Sequence, residues 1–327
     1  MKAFTYRIAS SEETAVKFLG EKANTLAIAG GTSVLNLMKE YVLAPEVLVN
    51  IRNVAGTDKI EASGGGLKIG ANVTLAEILE NDTVRKQYPA LAQALETLAT
   101  PQIRNMATLG GNLCARPACW YFSHGGFTCL KRGGPTCPAK EGENEQHAIF
   151  ATDGPCVMVH ASSAAPALIA LGASVRIAGA QGAREIPLED FFALPKADVT
   201  RENVLKPGEI LTHVMLGAAR PHSASYEVRH KESHDWPVSL ASVALDMEGD
   251  TCKGARICLG AVAPIPWRVP AAEAALAGKK ITAATAGEAA DAAVMGAAPL
   301  SQNGFKVKTA HTAVKRAILV AATGKWS

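Results

Sequence analysis

Residues 25–39 read TLAIAGGTSVLNLMK. Thr25 to Ala29 is a short apolar run that predicts a strand, and Val34 to Lys39 has helical spacing. Between them stands Gly30-Gly31-Thr32-Ser33, with Thr32 or Ser33 available as the helix N-cap. Glycines let backbone N–H groups approach an anion, and a helix start adds positive potential. Together these make an anion cradle. Val47 to Ile51 predicts the next strand and closes a small βαβ unit. No G-x-G-x-x-G follows the first strand and no Gly-Lys-Ser/Thr closes the loop, so neither nucleotide fingerprint applies. By itself the stretch reads more readily as a tight turn before a capped helix.

About eighty positions later, residues 100–112 read TPQIRNMATLGGN, a second Gly-Gly close to a hydroxyl residue. Two such cradles suit a ligand with two ends or with a diphosphate in its middle. The chain between and beyond them predicts alternating elements. Gly64 to Gly66 is a turn, Leu67 to Thr74 a strand, and Leu75 to Leu79 and Tyr88 to Leu98 are helices. Val157 to His160 and Ala173 to Ala178 read as strands, Pro166 to Leu171 as part of a helix, and Glu209 to Leu216 as an edge strand. Arg220-Pro221-His222 marks a linker. Beyond it, Val238 to Met247 and Gly254 to Val262 predict paired strands, followed by Ala-rich helices and an amphipathic helix over Lys306 to Ala322.

The totals exclude several classes. At 327 residues the chain can bury a sizeable core in two or three domains. A net charge of +3 argues for neither nucleic acid nor an anionic membrane as partner. No apolar run reaches the length of a membrane span. MKAFTYRIASSEE lacks an apolar core and is not expected to be a secretory signal. With no export signal and seven cysteines, an odd number, a disulfide framework is not expected.

Four cysteines, Cys119, Cys129, Cys137 and Cys156, lie in a long stretch rich in Gly and Pro. A structureless excursion of this length has a task of its own. The intervals of nine, seven and eighteen residues contain no close pair of the structural zinc type. Nor do they follow the bacterial ferredoxin run. Thiolates on such a loop can still converge on a cubane cluster, so cluster, zinc and ordinary thiols all remain open on spacing alone. Cys252 and Cys258 fall in apolar strands and read as packed core thiols.

Taken together, the loops and the cysteine stretch resemble the FAD-binding medium subunit of the molybdenum hydroxylases, the family of xanthine dehydrogenase and carbon monoxide dehydrogenase. The resemblance runs from MKAFTY through AGGTSVLNLMK and PQIRNMATLGGN to ARICLGAVAPIPWR at residues 255–268. It implies an α+β fold with two domains. Residues 1–218 would form a two-part FAD-binding domain of the PCMH/vanillyl-alcohol-oxidase-like type, with parts at about 1–55 and 56–218. Residues 219–327 would form the C-terminal domain of the CO dehydrogenase flavoprotein type. Most members lack the long loop. Those that carry it resemble the flavin subunits of periplasmic aldehyde oxidoreductase and 4-hydroxybenzoyl-CoA reductase, where four cysteines hold a [4Fe–4S] cluster. CWYF, FTCLKRGG, PTCPA, QHAIF and DGPC look most like the aldehyde oxidoreductase pattern. The resemblance thus implies Cys119, Cys129, Cys137 and Cys156 as cluster ligands in a loop at 113–156, and leaves Cys114 out.

By the same resemblance, Ala29, Gly30, Gly31, Thr32, Ser33, Val34 and Leu35 hold the FAD diphosphate and ribityl chain with Thr108, Gly110, Gly111 and Asn112. Thr100 and Asn105 flank the second loop. In YEVRHKESHDWPVSLASVA, residues 226–244, Arg229 and Lys231 are the cations expected to face the flavin. His160-Ala161-Ser162-Ser163 departs from the family's His-Pro-Ser-Asp and lacks its acid; His160 is expected to be structural. No acid–base or nucleophile constellation stands out, which suits a subunit whose cofactors carry the chemistry. Implied partners are a large molybdenum-cofactor subunit, a small [2Fe–2S] subunit and an external electron acceptor, in a heterotrimer or its dimer. The compartment would be cytoplasmic, or periplasmic by folded export with a signal-bearing partner. A stand-alone FAD oxidase and a zinc-stapled, non-enzymatic interaction module are the rival readings.

Overall fold

The structure is a computed structural model that describes residues 1–232 and 234–325. Strands β1 (Thr5–Ile8), β2 (Thr25–Ile28) and β3 (Val47–Asn50) form a parallel sheet in the order β1-β3-β2. Helix α1 (Glu12–Gly20) connects the first two strands and α2 (Val34–Lys39) the next two. Ser11 caps α1 by accepting from the Thr14 amide at 3.2 Å, with Glu12 and Glu13 in the first turn facing the helix dipole. The predicted βαβ unit is present, with β2 and β3 in parallel register. Ser33 occupies the N-cap position of α2, but its backbone is already helical and its hydroxyl makes no cap bond.

A second sheet is built from β4 (Ile60–Ser63), β5 (Gly66–Gly70), β6 (Ser174–Gly179), β7 (Gly182–Pro187) and β8 (Ile210–Leu216), in the order β4-β5-β8-β6-β7. Gly64 and Gly65 both have positive φ in the β4–β5 hairpin, which explains the Gly run at this turn. Strand β8 is central, not an edge strand. It pairs with β5 on one side and β6 on the other, and nearly all its residues are buried. The polar Thr212 and His213 in ILTHVML are accommodated because they find partners inside the fold, the Arg176 and Gly56 carbonyls.

Between β5 and β6 run α3 (Leu75–Glu80), α4 (Asp82–Gln87), α5 (Pro89–Glu96), α6 (Pro101–Arg104), α7 (Leu109–Leu113), α8 (Trp120–Ser123) and α9 (Ala164–Ala170). Thr74 and Glu77 form a reciprocal capping box on α3, and Pro89 starts α5. The expected strand at 157–160 is extended chain with a single bridge from Val159 to Ala118. Its neighbour is not a long strand: Ile149 and His160 donate instead to the Val262 and Ala263 carbonyls.

The remaining chain forms β9 (Ser223–Val228), β10 (Ser239–Glu248) and β11 (Thr251–Gly260) as an antiparallel sheet, with β10 paired to β11 as expected. Helices α10 (Pro270–Leu276), α11 (Ala283–Val294) and α12 (Phe305–Thr323) pack with this sheet around a core of Val243, Ile257, Leu259, Val314 and Ile318. That core also takes in Ile149 and Phe150 from the cysteine loop. No described helix is long and apolar enough to cross a membrane.

Tyr88 ties the helical layer to the end of β8. Its side chain is fully buried and its hydroxyl donates to the Gly217 carbonyl at 2.6 Å. Tyr88→Phe leaves that carbonyl without its partner. It should therefore lower stability by about 1–2 kcal/mol, read as a lower thermal midpoint with unchanged far-UV circular dichroism.

Candidate functional site

The two Gly-Gly loops meet backbone to backbone. A Cβ on Gly30 would stand 2.0 Å from the Met106 carbonyl oxygen, so position 30 has room for glycine alone. Gly31 has φ +73°, the left-handed turn that feeds α2. Among the described residues, the amides of Gly31, Thr32, Ser33 and Val34 donate to no internal acceptor, while the Gly31, Thr32 and Ser33 carbonyls are engaged by α2. Four consecutive unpaired donors at a helix start are what a phosphate requires. Ala29 and Leu35 flank this run, and the Leu35 amide is bound to the Gly31 carbonyl at 3.2 Å.

The second loop is rigid for identifiable reasons. Thr108 caps α7, accepting from the Gly111 amide at 3.2 Å. A Cβ on Gly110 would meet that of Ala71 at 2.8 Å. Asn112 is held by Ser162, whose hydroxyl donates to its Oδ1 at 2.6 Å. Ser162 also accepts from the Ala165 amide at 2.9 Å, so it couples α7 to the start of α9. Thr100 caps α6 through the Ile103 amide, and Asn105 closes that helix. Just before it, Ala99 adopts φ +51°, a left-handed conformation unusual for a residue with a Cβ. Two guanidiniums hold this bend: Arg104 donates to the Leu98 and Ala99 carbonyls at 2.8 and 3.1 Å, and Arg229 to the Thr97 carbonyl at 3.2 Å.

Of the two expected cations, then, Arg229 reaches the approach to the second loop, whereas Lys231 lies in an exposed turn bound through its amide to Asp235. Beside Arg229 lies Glu227, whose side chain is buried. Burial pushes its carboxyl up from the ordinary range, against hydrogen bonds from Thr97 and Ser163. Glu227 Oε1 is buried without a hydrogen-bond partner among the described residues. His160 is fully enclosed against Phe192, and its Nδ1 accepts from the Ser162 amide at 3.2 Å.

The structure also gathers the four loop cysteines. Cys119 packs with Cys129, Phe122 and Leu37 on one side, and with Cys137, Tyr121 and Val157 on the other. The Cys156 thiol hydrogen-bonds Cys137, which holds Cys137 down and pushes Cys156 up. Burial raises Cys119 to about 12. Cys114 sits apart at the end of α7, packed on the main core and also raised by burial to about 12. Among the described residues, no three His, Cys, Asp or Glu side chains close around a single point as one metal ion demands.

Three polar anchors that the sequence reading did not single out hold this loop. Arg132 donates to the Tyr121, His124 and Phe127 carbonyls at 3.2, 2.9 and 2.5 Å. Lys131, almost fully buried, pairs with the equally buried Glu202 at 2.7 Å and donates to the Arg201 carbonyl at 3.0 Å. Lys306, at the buried start of α12, donates to the Gln146, His147 and Ala261 carbonyls at 3.1, 2.9 and 2.6 Å. Lysines usually signal exposed faces, so neither burial could be read from pattern.

With this geometry in view, the family is established. The model for the FAD binding domain in molybdopterin dehydrogenase matches residues 2–218, and that for the CO dehydrogenase flavoprotein C-terminal domain matches residues 224–321. The chain belongs to the family of FAD-binding medium subunits of molybdenum-containing oxidoreductases. It is 37% identical over 280 residues to the aldehyde oxidoreductase FAD-binding subunit PaoB of Escherichia coli K12, covering 84% of this chain and 86% of that one. It is 27% identical to the carbon monoxide dehydrogenase medium chain of Hydrogenophaga pseudoflava, covering 96% of each. Among solved structures, quinoline 2-oxidoreductase from Pseudomonas putida 86 superposes with a TM-score of 0.78 at 28% identity, over the whole of both chains. Carbon monoxide dehydrogenase from Hydrogenophaga pseudoflava gives 0.79 at 26%, over 100% of this chain and 99% of the other. The expected fold is therefore correct in both domain types.

Gly30→Ala forces the two loops apart at backbone atoms, and FAD retention on gel filtration should fall by ~10-fold or more. Gly287→Ala, whose Cβ would meet nothing closer than 4.0 Å, should retain FAD normally. A second expectation concerns acid. Burial lowers His160 to about 4 from its ordinary 6.5, partly offset by the Leu113 backbone. Between those values the unfolded chain binds a proton that the folded chain refuses, so stability is lost as pH falls from about 6.5 to about 4. The loss should reach on the order of 3 kcal/mol. His160→Gln should flatten the fall in unfolding midpoint between pH 7 and pH 5.

Proposed function

We propose that this chain is the FAD- and [4Fe–4S]-carrying electron-transfer subunit of a molybdenum hydroxylase of the aldehyde oxidoreductase or xanthine dehydrogenase type. It passes reducing equivalents from a large molybdenum-cofactor subunit and a small [2Fe–2S] subunit to an external acceptor. The complex is a heterotrimer or its dimer, placed in the cytoplasm, or in the periplasm when exported folded with a signal-bearing partner. The observation that carries the reading is the meeting of two Gly-Gly loops around four unpaired amides, with four cysteines gathered in the same chain.

The residues fit both groups. FAD supplies one- and two-electron transfer when bound. Residues 29–35 offer the amide row for its diphosphate, and Thr108, Gly110, Gly111 and Asn112 line the second loop. Thr100 and Asn105 bound α6, the short helix that leads into that loop. Arg229 contributes positive charge beside the Thr97–Thr100 bend, and Lys231, two residues on, is the second cation assigned to the flavin. Near Ser163, where the family's acid is absent, the buried carboxylate of Glu227 accepts from the Thr97 hydroxyl at 2.9 Å. For the cluster, Cys119, Cys129, Cys137 and Cys156 form a soft, all-sulfur donor set without carboxylates. A cubane takes each thiolate on its own iron, which is the donor chemistry that four cysteines and no carboxylate supply. A stand-alone oxidase has no support in the medium-chain relatives.

The test is a spectrum. Anaerobically purified complex should show flavin bands over a broad iron–sulfur shoulder, with about four irons per FAD beyond those of the small subunit. Cys129→Ser or Cys137→Ser should remove the shoulder and leave the flavin. Flavin with no such iron would reduce the chain to an FAD subunit. Zinc in place of both would overturn the assignment.

A further inference from the structure

We propose that His147 is a positioning residue for the thiol set, donating its Nε2–H to Cys119 Sγ while Asn303 and Lys306 lock its backbone from the C-terminal part of the chain. The proposal rests on the reading that the four cysteines hold a cluster. His147 Nε2 stands 3.3 Å from Cys119 Sγ, within the range of a hydrogen bond to sulfur. The residue is 2% exposed, and its ring lies 6.0 Å from those of both Trp120 and Tyr121. Its Nδ1 is buried with no partner among the described residues. The sulfur is therefore the ring's one polar contact there, and the tautomer with the proton on Nε2 is the one that serves a thiolate.

The backbone of the same residue explains why the ring cannot drift. The His147 carbonyl accepts from Lys306 Nζ at 2.9 Å and from Asn303 Nδ2 at 3.1 Å. Its amide donates to the Asn144 carbonyl at 3.0 Å. Asn144 is itself bound to Ser301 at 3.0 Å and to the Gln302 amide, also at 3.0 Å. Residues 301–306, leading into α12, thus grip residues 144–148 through both backbone and side chains. Lys306 Nζ sits among the Gln146, His147 and Ala261 carbonyls beside His147, and burial pushes its amine down to about 7. An N–H bond to a ligand sulfur favours the more negative, reduced state of an iron–sulfur group and raises its potential. A metal ligand's outer partner commonly sets its orientation in this way.

The experiment compares wild type, His147→Phe and His147→Gln in the intact, anaerobically purified complex. Iron and FAD are counted first, and the cluster midpoint is then read by EPR-monitored redox titration. The expected result is full iron in all three, a more negative midpoint in H147F, and recovery toward wild type in H147Q, whose amide can donate. The FAD midpoint should stay unchanged, which a general loosening of the fold would not allow. Equal midpoints in wild type and H147F overturn the proposal alone. Wild type without cluster iron overturns the cluster reading and this proposal with it. Should H147F lose iron, wild type labelled with 15N-histidine decides: pulsed EPR of the reduced cluster should show a weak 15N coupling, and its absence overturns the assignment.

Discussion

The contact on which the site depends is the one made possible by a missing atom. Gly30 lies against the Met106 carbonyl so closely that no Cβ fits, and this approach brings the end of β2 to the segment between α6 and α7. The two loops belong to different layers, one to the small parallel sheet and the other to the helices packed on the five-stranded sheet. A side chain at position 30 would separate those layers and open the cradle with them. The unpaired amides of residues 31–34 follow from the same turn: a backbone bending sharply at Gly31 cannot offer its N–H groups to a neighbouring strand.

The cysteine loop faces the opposite problem. From Ala115 to Pro155 it has short helical turns but no named strand, and apart from Ile149 and Phe150, which enter the C-terminal core, its apolar contacts are two small clusters built partly from the thiols themselves. So little apolar burial cannot offset the entropy of ordering such a length. Buried polar side chains fix the loop in place. Lys131 with Glu202 fixes the middle of the loop to residues 201–202, and Lys306 with Asn303 fixes its later part to the C-terminal helices. A buried ion pair is weak as a source of stability, because desolvation cancels most of the attraction. Removing one partner leaves a naked charge and is costly, so such pairs specify one arrangement over its alternatives. That property suits a loop whose thiols must be held at set positions.

Local chemistry made much of this readable. The turn at Gly30-Gly31, the bounds of α2, the β10–β11 pair and the final helix follow from glycine, periodicity and apolar spacing within a short window. What could not be read depends on neighbours distant in sequence. Strand β8 is central because β5 and β6 flank it from segments far upstream, and its polar residues satisfy themselves inside. The cap at Ser33 failed because the turn is already helical there. His147 and Lys306 lie 159 positions apart. QHAIF marks a family resemblance and Lys306 opens an amphipathic helix, but neither pattern says that the two side chains are buried or that they meet.

The arrangement also explains why the two halves of the chain are not independent. The loop's own hydrogen bonds lead out of the FAD-binding part in both directions, to residues 201–202 and to residues 301–306. Ile149 and Phe150 enter the apolar core of the C-terminal sheet, and Phe150 stacks on Trp267 at 5.3 Å. Arg229, on the strand β9 side, holds the bend that precedes the second cradle. A shift of the C-terminal sheet would therefore be felt at both places where a cofactor is expected: at the thiols through His147, and at the second loop through Arg229. The C-terminal part acts as the frame that keeps two sites of the first part in register, and its own sequence contributes to both through side chains that the fold turns inward.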